Sequence, residues 1–324
     1  MAPRTWRSRM HLVEPTKSNA RTWPLEIRWE EAACPLCQGD DAHLVTEAPD
    51  WQTGTWLRFA IVQCKQCTMC YTHPRPDRDS LHRFYPHDYE PYRETGSGAV
   101  SRRLRRLFPH LLRPWGNGRL LDIGCGAGRF LLHMRAHGWQ VSGLDIAPAP
   151  IEHLRRQFGL DAHVGTLPAP QWPAHSFQII TLWQVLEHVP EPRIVLRECA
   201  RLLTGDGRLL VSVPNWSSLS CRFFGPAWIG LDLPRHLNHF SADTLAAMLE
   251  RCGLIPLRIF SEARSGWVRR SARVAQHMRH RAKTTWLLRY RWPSRLFALY
   301  SHRHGAGDCL YAEAIPASRK NRPT

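Results

Sequence analysis

The sequence contains no run of about 18 apolar residues, so we expect no transmembrane helix. Residues 1–24 carry basic side chains but lack the apolar stretch of a secretory signal peptide. Internal repeats and low-complexity blocks are also missing, which argues against a repeat architecture. These absences favour a cytoplasmic protein, with a peripheral position at the inner face of the membrane left open. Residues 1–28 are predicted to be a disordered leader.

The ten cysteines lack the secretory context in which disulfides form, so they indicate metal ligands or buried thiols. The chain has 324 residues, of which 43% are hydrophobic, and this predicts one main domain with an accessory module. Its formal net charge of +17 admits nucleic acid, an anionic membrane surface or a phosphorylated substrate as partner.

Two Cys-x-x-Cys pairs predict a metal site near the N-terminus. The pairs are Cys34 with Cys37, and Cys64 with Cys67. Each pair places two thiolates on one side of a tight loop, and two such loops complete a tetrahedral Zn²⁺ site. We therefore predict a structural zinc ribbon over residues 29–75, with Cys70 as a bystander. Four unrelated buried thiols or a redox pair are the alternative.

From residue 119 onward, short apolar stretches alternate with helical patterns. Strands are predicted at 119–123, 140–145, 162–164, 177–183 and 208–213, and helices at 128–137, 151–158 and 193–203. Ser241 should cap a helix that reaches Cys252, and further strands are expected at 254–260 and 309–315. This alternation predicts an α/β fold with a mostly parallel sheet covered on both faces. Residues 76–118 read as a linker or cap with a helix at 102–108, 119–316 as the main domain, and 317–324 as a tail.

A glycine-rich loop follows the first strand of that domain. Gly124, Gly126 and Gly128 lack a Cβ, so their backbone can approach a ligand closely. The spacing is G-x-G-x-G, whereas dinucleotide enzymes use G-x-G-x-x-G. The carboxylate of Asp122 would repel a pyrophosphate but could bind an ammonium group. Asp145 ends the next strand, where its carboxylate can accept both hydroxyls of a ribose. A nicotinamide or flavin site is the weaker alternative.

Residues 119–213 resemble the class I S-adenosylmethionine-dependent methyltransferases, in the bacterial small-molecule branch that includes the ubiquinone-pathway O-methyltransferases. The matching stretches are LLDIGCGAGRF, VSGLDIAP, GTLPAPQWPAHSFQIITLWQVLEHVPEP and GRLLVSVPN. The resemblance implies a Rossmann-like seven-stranded sheet with S-adenosylmethionine as cofactor. It differs at Gln178, which stands where the family usually has an acid after Phe177.

The resemblance also implies which residues bind the cofactor. Asp122 would lie near the amine, Gly124 and Gly126 along the methionine portion, Asp145 at the ribose, Thr166 and Leu167 at the adenine, Trp183 and Gln184 beside the sulfonium, and Cys125, Gly128 and Ile146 around them.

Two segments offer groups for the methyl acceptor. Glu187 and His188 resemble the end of an E-x-x-E-H stretch that holds a divalent metal in ubiquinone-pathway enzymes, but Gln184 replaces the first Glu. The loop at 231–241 carries Arg235, His236 and His239, of which a histidine could act as base and the arginine could grip an anion. The alternatives are packing roles for His188 and a loop whose polar side chains satisfy buried backbone. Zinc binding by His236 and His239 lacks an evident third ligand.

A basic and aromatic insertion is predicted at 264–306, where a short hairpin should join the last two strands. Between Glu262 and Asp308 the chain holds eleven lysines and arginines and no acid. Tryptophans, tyrosines and a phenylalanine are interleaved with them. Three interpretations stay open: contact with a membrane interface, contact with nucleic acid, or a solvated helical pair that covers the active site.

Together these features predict an S-adenosylmethionine-dependent methyltransferase that acts on a small molecule or on a sugar- or lipid-linked intermediate, at oxygen. One alternative is an RNA or protein methyltransferase that uses the ribbon and the insertion to bind the polymer. Against it, the chain shows no N/D-P-P-Y/F tetrapeptide after the fourth strand. Another alternative is a cofactor-binding interaction protein without turnover, which the intact glycines and acids disfavour.

Overall fold

The computed structural model describes residues 27–53, 57–85, 107–108 and 118–317. Most of the predicted leader, of the segment 76–118 with its helix, and of the tail lies outside these residues. Within them, no helix is both long enough and apolar enough to cross a bilayer.

The N-terminal module is built from short antiparallel strands. They are β1 (Trp29–Glu30), β2 (Ala42–Pro49), β3 (Arg58–Cys64), β4 (Cys70–Thr72) and β5 (Arg75–Pro76), followed by the one-turn helix α1 (Arg78–Leu81). Strands β2, β3 and β4 form a sheet, whereas β1 pairs only with β5 among the described strands. Each Cys-x-x-Cys turn thus has a strand beside it.

The main domain alternates strands and helices as predicted. Its elements are β6 (Arg119–Ile123), α2 (Arg129–Arg135), β7 (Gln140–Asp145), α3 (Pro148–Phe158), β8 (Asp161–Val164), β9 (Phe177–Trp183), α4 (Pro192–Leu202), β10 (Leu203–Pro214), α5 (Leu219–Phe224), β11 (Asn238–His239), α6 (Ala242–Arg251), β12 (Leu254–Glu262) and β13 (Cys309–Pro316).

Seven of these strands form one sheet in the order β12-β13-β10-β9-β6-β7-β8. Strands β6 to β10 are parallel, and β13 runs antiparallel between β10 and β12. Adjacent side chains on a strand point to opposite faces, and both Leu120 and Leu121 are fully buried, in different core clusters. Both faces of the sheet are therefore covered, and the predicted mostly parallel seven-stranded α/β fold is confirmed.

The ribbon and the main domain share a sheet. Strand β11 lies in the loop after β10, yet it pairs antiparallel with β4 of the ribbon, Asn238 opposite Tyr71 and His239 opposite Cys70. Every residue from 227 to 240 is buried. The loop predicted to offer groups for the methyl acceptor is thus an interior seam between the two modules.

The insertion is helical. It consists of α7 (Ser265–His277), α8 (Ala282–Thr285), a 3₁₀ turn (Trp286–Arg289) and α9 (Arg291–Arg303). The buried side chains of α7 are Val268, Ala272 and Ala275, which join a core cluster with residues of the seam. The inner side of the insertion therefore packs on the seam. Its outer side is solvent-exposed.

Candidate functional site

The glycine loop leaves the carboxyl end of β6 in a conformation that requires glycine. Gly124 and Gly128 both have φ +70°, in the left-handed region that other residues rarely adopt. A Cβ at Gly124 would lie 2.4 Å from the Val185 side chain, and one at Gly128 would lie 2.4 Å from Leu154. These glycines let the loop pass close to the end of β9 and to helix α3.

Asp145 fixes the shape of this loop. One carboxylate oxygen accepts a hydrogen bond from the Gly126 N–H at 2.8 Å, and the other accepts one from the Ala147 N–H at 2.9 Å. The side chain is buried, and burial raises the pKa of its carboxyl. Each oxygen keeps a second lone pair, so Asp145 can still accept hydrogen bonds from a ligand.

Asp122 lies near the end of β6, just before the glycine loop, and is also buried. It accepts a hydrogen bond of 2.6 Å from the Thr181 hydroxyl. Burial, with the charge of Asp145 nearby, raises the pKa of Asp122 to about 7, although the bond from Thr181 opposes this. A cationic group in front of the loop would stabilise the ionised form of both acids.

The other predicted cofactor residues surround this edge of the sheet. Cys125 and Leu167 are buried, whereas Ile146 and Thr166 are exposed. Trp183 has a buried indole N–H without a hydrogen-bond partner among the described residues. Gln184 has φ +58° and is held by its backbone and side chain to Ser212. The structure thus brings the predicted set together at the carboxyl ends of β6, β7, β8 and β9.

A second cluster lies just beyond β9. One potential ligand atom each from Glu187, His188 and His236 lies within 4.8 Å of the other two. Glu187 is fully buried, and neither of its carboxylate oxygens has a hydrogen-bond partner in the described part of the chain. Burial raises the pKa of this carboxyl to about 8. A buried carboxylate without partners is unfavourable unless something else binds it.

The two imidazoles of this cluster have a defined proton position. His188 Nδ1 lies 3.1 Å from the Arg235 carbonyl oxygen, and His236 Nδ1 lies 2.9 Å from the Gly230 carbonyl oxygen. A carbonyl only accepts, so each Nδ1 carries the hydrogen and each Nε2 keeps its lone pair. Burial lowers the pKa of both rings, that of His188 to about 3, so both are neutral near pH 7. The lone pairs can accept a proton or bind a cation.

His239 has a different environment. The Thr72 hydroxyl donates to the His236 carbonyl oxygen at 2.8 Å, so its oxygen accepts from His239 Nε2–H at 3.1 Å. Burial lowers the pKa of His239 to about 3. This bond joins the seam to the ribbon, and His239 is not part of the three-residue cluster.

Arg235 is fully buried, and its guanidinium is engaged by the protein itself. It donates to Asp232 at 2.8 Å, to Asp50 at 2.9 Å and to the Phe84 carbonyl oxygen at 2.7 Å. The two acids were not singled out in the sequence. Asp232 precedes Arg235 by three residues and offered a local signal, but Asp50 is separated from it by 185 residues. Tyr85, whose hydroxyl lies 3.1 Å from His188 Nδ1, was missed for the same reason.

The four ribbon cysteines converge as predicted. Cys34 Sγ lies 3.4 Å from Cys67 Sγ, and Cys37 Sγ lies 3.4 Å from Cys64 Sγ. All four sulfurs lie within 4.8 Å of one another. Cys70 is outside this group, and its buried sulfur accepts a hydrogen bond from the Gln63 amide at 3.6 Å. Four thiols on one centre are the ligand set of a structural zinc site.

The sheet order, the glycine loop and its two acids define a Rossmann-like fold of the S-adenosylmethionine-binding type. A family model described as a methyltransferase domain matches residues 92–257, half of the chain. The chain therefore belongs to this methyltransferase domain family.

Curated relatives include ubiquinone biosynthesis O-methyltransferases. The one from Xanthomonas oryzae pv. oryzae strain PXO99A is 35% identical over 133 residues, 38% of this chain and 54% of that protein. The one from Xanthomonas axonopodis pv. citri is 34% identical over 157 residues, 44% of this chain and 64% of that protein. The chain thus spans about half to two thirds of the length of these relatives.

A solved S-adenosylmethionine-dependent methyltransferase from Archaeoglobus fulgidus is 19% identical, with a TM-score of 0.47. The alignment covers 68% of this chain and 94% of that one.

Proposed function

We propose that this protein transfers a methyl group from S-adenosylmethionine to a hydroxyl oxygen of a small molecule. The observation that carries the proposal is the position of Glu187. Its unpartnered carboxylate lies four residues past the end of β9, whose turn contacts the glycine loop through Val185. Relatives named ubiquinone biosynthesis O-methyltransferases support a small, hydroxyl-bearing acceptor.

On the cofactor side, the bound S-adenosylmethionine would supply an electrophilic methyl group. Asp145 would accept hydrogen bonds from the two ribose hydroxyls, because each of its oxygens has a lone pair left. Asp122 would lie near the amino group, whose positive charge offsets the cost of its burial. These contacts align the methyl group and exclude water, which is most of what an in-line displacement requires.

On the acceptor side, Glu187 would remove the hydroxyl proton, with His188 and His236 beside it. The pKa of Glu187, about 8, lies close to the operating pH, where a general base is most effective. The two imidazoles are neutral, and their Nε2 lone pairs can accept a hydrogen bond from another donor group of the small molecule. Arg235 and His239 act by holding the seam in place, since both are already engaged by the protein.

The same three side chains fit a divalent cation. Two imidazole nitrogens and one carboxylate are a common ligand set, and the orphaned oxygens of Glu187 lack any other partner in the described structure. When bound, such a cation would polarise the acceptor hydroxyl. The residue missing from the family's stretch at Gln184 would then be replaced by His236 from the seam.

Cys34, Cys37, Cys64 and Cys67 are proposed to hold one structural zinc. Their four sulfurs face one centre and leave no ligand position open, so the metal would have no catalytic role. Its effect would be to fold the turns that support β3 and β4.

The test of the main proposal has two parts. Calorimetry should show binding of S-adenosylmethionine and S-adenosylhomocysteine and no binding of nicotinamide dinucleotides. Incubation with isotope-labelled S-adenosylmethionine and a panel of small phenols and catechols should then give an O-methyl product, identified by NMR. A product methylated only at carbon or nitrogen, or label transfer only to RNA or protein, would contradict oxygen as the acceptor atom.

A further inference from the structure

Helix α9 of the insertion exposes most of its large apolar side chains. Its buried side chains are the small residues Ser294, Ala298 and Ser301. The opposite side of the helix carries Trp292, Leu296 and Tyr300, which are 73%, 64% and 58% exposed. A surface helix of a water-soluble domain normally buries its large apolar side chains. In this helix Phe297 packs against a core cluster, whereas the other large apolar side chains face outward. We therefore expect the outward side of the helix to contact a binding partner.

The preceding 3₁₀ turn continues the same surface. Trp286, Leu287 and Tyr290 are each about half exposed, as is Leu299 on α9. Together with the outward side of α9 they form what we call the apolar stripe. Contiguous exposed apolar surface of this kind marks an interaction site rather than a random scatter of hydrophobic residues.

An arginine cleft adjoins the stripe. It lies between α7 and the start of α9, has a volume of about 420 Å³, and is lined by Arg269, Arg270, Arg273, Arg289 and Arg291 with Tyr290. The cleft lining contains no acid, and the sequence has none between Glu262 and Asp308. Several guanidinium groups around one cavity favour anionic phosphate groups.

We propose that the apolar stripe and the arginine cleft together bind an anionic membrane surface. The tryptophans, tyrosines and leucines would enter the interface between headgroups and acyl chains, and the cleft would hold lipid phosphates. A single-stranded nucleic acid would explain the arginines and aromatic rings, but not the exposed Leu287, Leu296 and Leu299. A soluble phosphate compound would explain the cleft but not the stripe. A second copy of the chain would bring two basic surfaces together.

The membrane surface and the site are on opposite sides of one element. Helix α7 contributes Arg269, Arg270 and Arg273 to the cleft, while its buried residues pack on the seam that carries His236. The inference does not depend on methyl transfer, because binding to a membrane requires no turnover.

The test is co-sedimentation of the full-length protein with vesicles. The wild-type protein should bind vesicles that contain phosphatidylcholine and phosphatidylglycerol. It should bind vesicles of phosphatidylcholine alone much more weakly, and its binding to the anionic vesicles should weaken at high salt. The triple variant Arg270→Gln, Arg273→Gln, Arg289→Gln should bind the anionic vesicles at least about tenfold more weakly. The double variant Trp292→Ser, Leu296→Ser should lose a similar factor, since its removed side chains are exposed and make little contribution to folding.

A matched control removes the same charge elsewhere. The variant Arg156→Gln, Arg197→Gln, Arg251→Gln changes three exposed arginines on other helices and should bind vesicles as the wild-type protein does. Binding of S-adenosylhomocysteine in all variants reports that the fold is retained. The proposal is overturned if the wild-type protein does not bind anionic vesicles, or if the control loses as much binding as the cleft variant. It is also overturned if inorganic phosphate or a single-stranded RNA binds the cleft while vesicles do not.

Discussion

Two buried polar clusters lie side by side at the end of β9 and differ in one respect. In the first, Arg235 is enclosed by Asp50 and Asp232, and its guanidinium is bonded to protein groups. In the second, Glu187 lies near His188 and His236, and its carboxylate has no hydrogen-bond partner among the described residues. A satisfied cluster stabilises the structure, whereas an unsatisfied one is available to a ligand.

The two clusters are also connected. The Arg235 carbonyl oxygen accepts from His188 Nδ1–H, and Asp232 lies 3.8 Å from His236. Although burial opposes ionisation, the Arg235 guanidinium holds the pKa of Asp232 at about 2. Asp232 and Arg235 therefore keep their charges over the physiological pH range. The paired cluster (Arg235, Asp50 and Asp232) thereby fixes the ring positions in the open cluster (Glu187, His188 and His236). Substitutions in the paired cluster should therefore lower the stability of the protein, whereas substitutions in the open cluster should lower its turnover.

The largest effect is expected from loss of the proposed ribbon zinc, which should release Asp50 from the paired cluster. The purified protein should contain about one zinc per chain, and Cys64→Ser should abolish it. Zinc binding coupled to folding is worth about 10–16 kcal/mol in small zinc modules, so the ribbon should unfold and release Asp50 from Arg235. Elemental analysis and thermal unfolding measure both. Cys70→Ala is the control and should retain zinc, and a zinc-free wild-type protein purified under reducing conditions would refute the site.

The second largest effect is expected for Arg235→Ala. It leaves Asp50 and Asp232 buried without their cation, which typically costs about 3–5 kcal/mol in the free energy of unfolding. Denaturant titration gives the value. The control is Arg156→Ala, which removes an exposed partner of Glu152 and should cost less than about 0.5 kcal/mol. Equal losses in the two variants would mean that Arg235 is not the centre of a structural cluster.

Unlike Arg235→Ala, Glu187→Gln should keep the stability of the protein and lose its turnover. Gln has nearly the same shape, so the free energy of unfolding should change by less than about 1 kcal/mol. Turnover should fall by about 10²- to 10⁴-fold, because the proton acceptor is lost. Glu191→Gln, at an exposed position nearby, is the control and should keep full activity. If Glu187→Gln is as active as the wild-type protein, the open cluster does not take part in proton removal.

Asp145→Ala tests the cofactor side. It should weaken binding of S-adenosylhomocysteine by about 2 kcal/mol, since two charge-assisted hydrogen bonds would be lost together. Calorimetry measures the affinity. Asp206→Ala, at an exposed position of β10, should leave it unchanged. Wild-type affinity in Asp145→Ala would exclude this carboxylate as a ribose ligand.

The smallest effect concerns the third histidine. Thr72→Val removes the hydroxyl that joins His239 to the His236 carbonyl oxygen, and should cost about 1 kcal/mol of stability. Turnover of His239→Ala should stay within a few-fold of the wild-type value, whereas His188→Ala should lose most of it. Turnover measurements on the two variants show which histidine takes part in catalysis. A larger loss of turnover in His239→Ala than in His188→Ala would make His239 the catalytic histidine and His188 the structural one.

The sequence by itself determined the main domain. The predicted bounds of β6, β7 and β9 agree with the structure, since their side-chain patterns reflect burial on both faces of a parallel sheet. The cap at Ser241 is present as a capping box, because capping depends only on neighbouring residues. The glycine loop and its acids were equally local signals, because the loop directly follows β6 and the acids lie at the carboxyl ends of β6 and β7.

Only the tertiary structure decided what the polar loop and the insertion do. The pattern of residues 231–241 predicts groups for the methyl acceptor, yet residues 231–240 are buried where β11 pairs with β4, and Arg235 is paired with Asp50. Composition identified the insertion as basic and aromatic but could not show that α9 packs with its small residues inward. Local periodicity encodes which face of an element is apolar. Whether a polar group is satisfied, or an apolar face is covered, depends on partners far away in the chain.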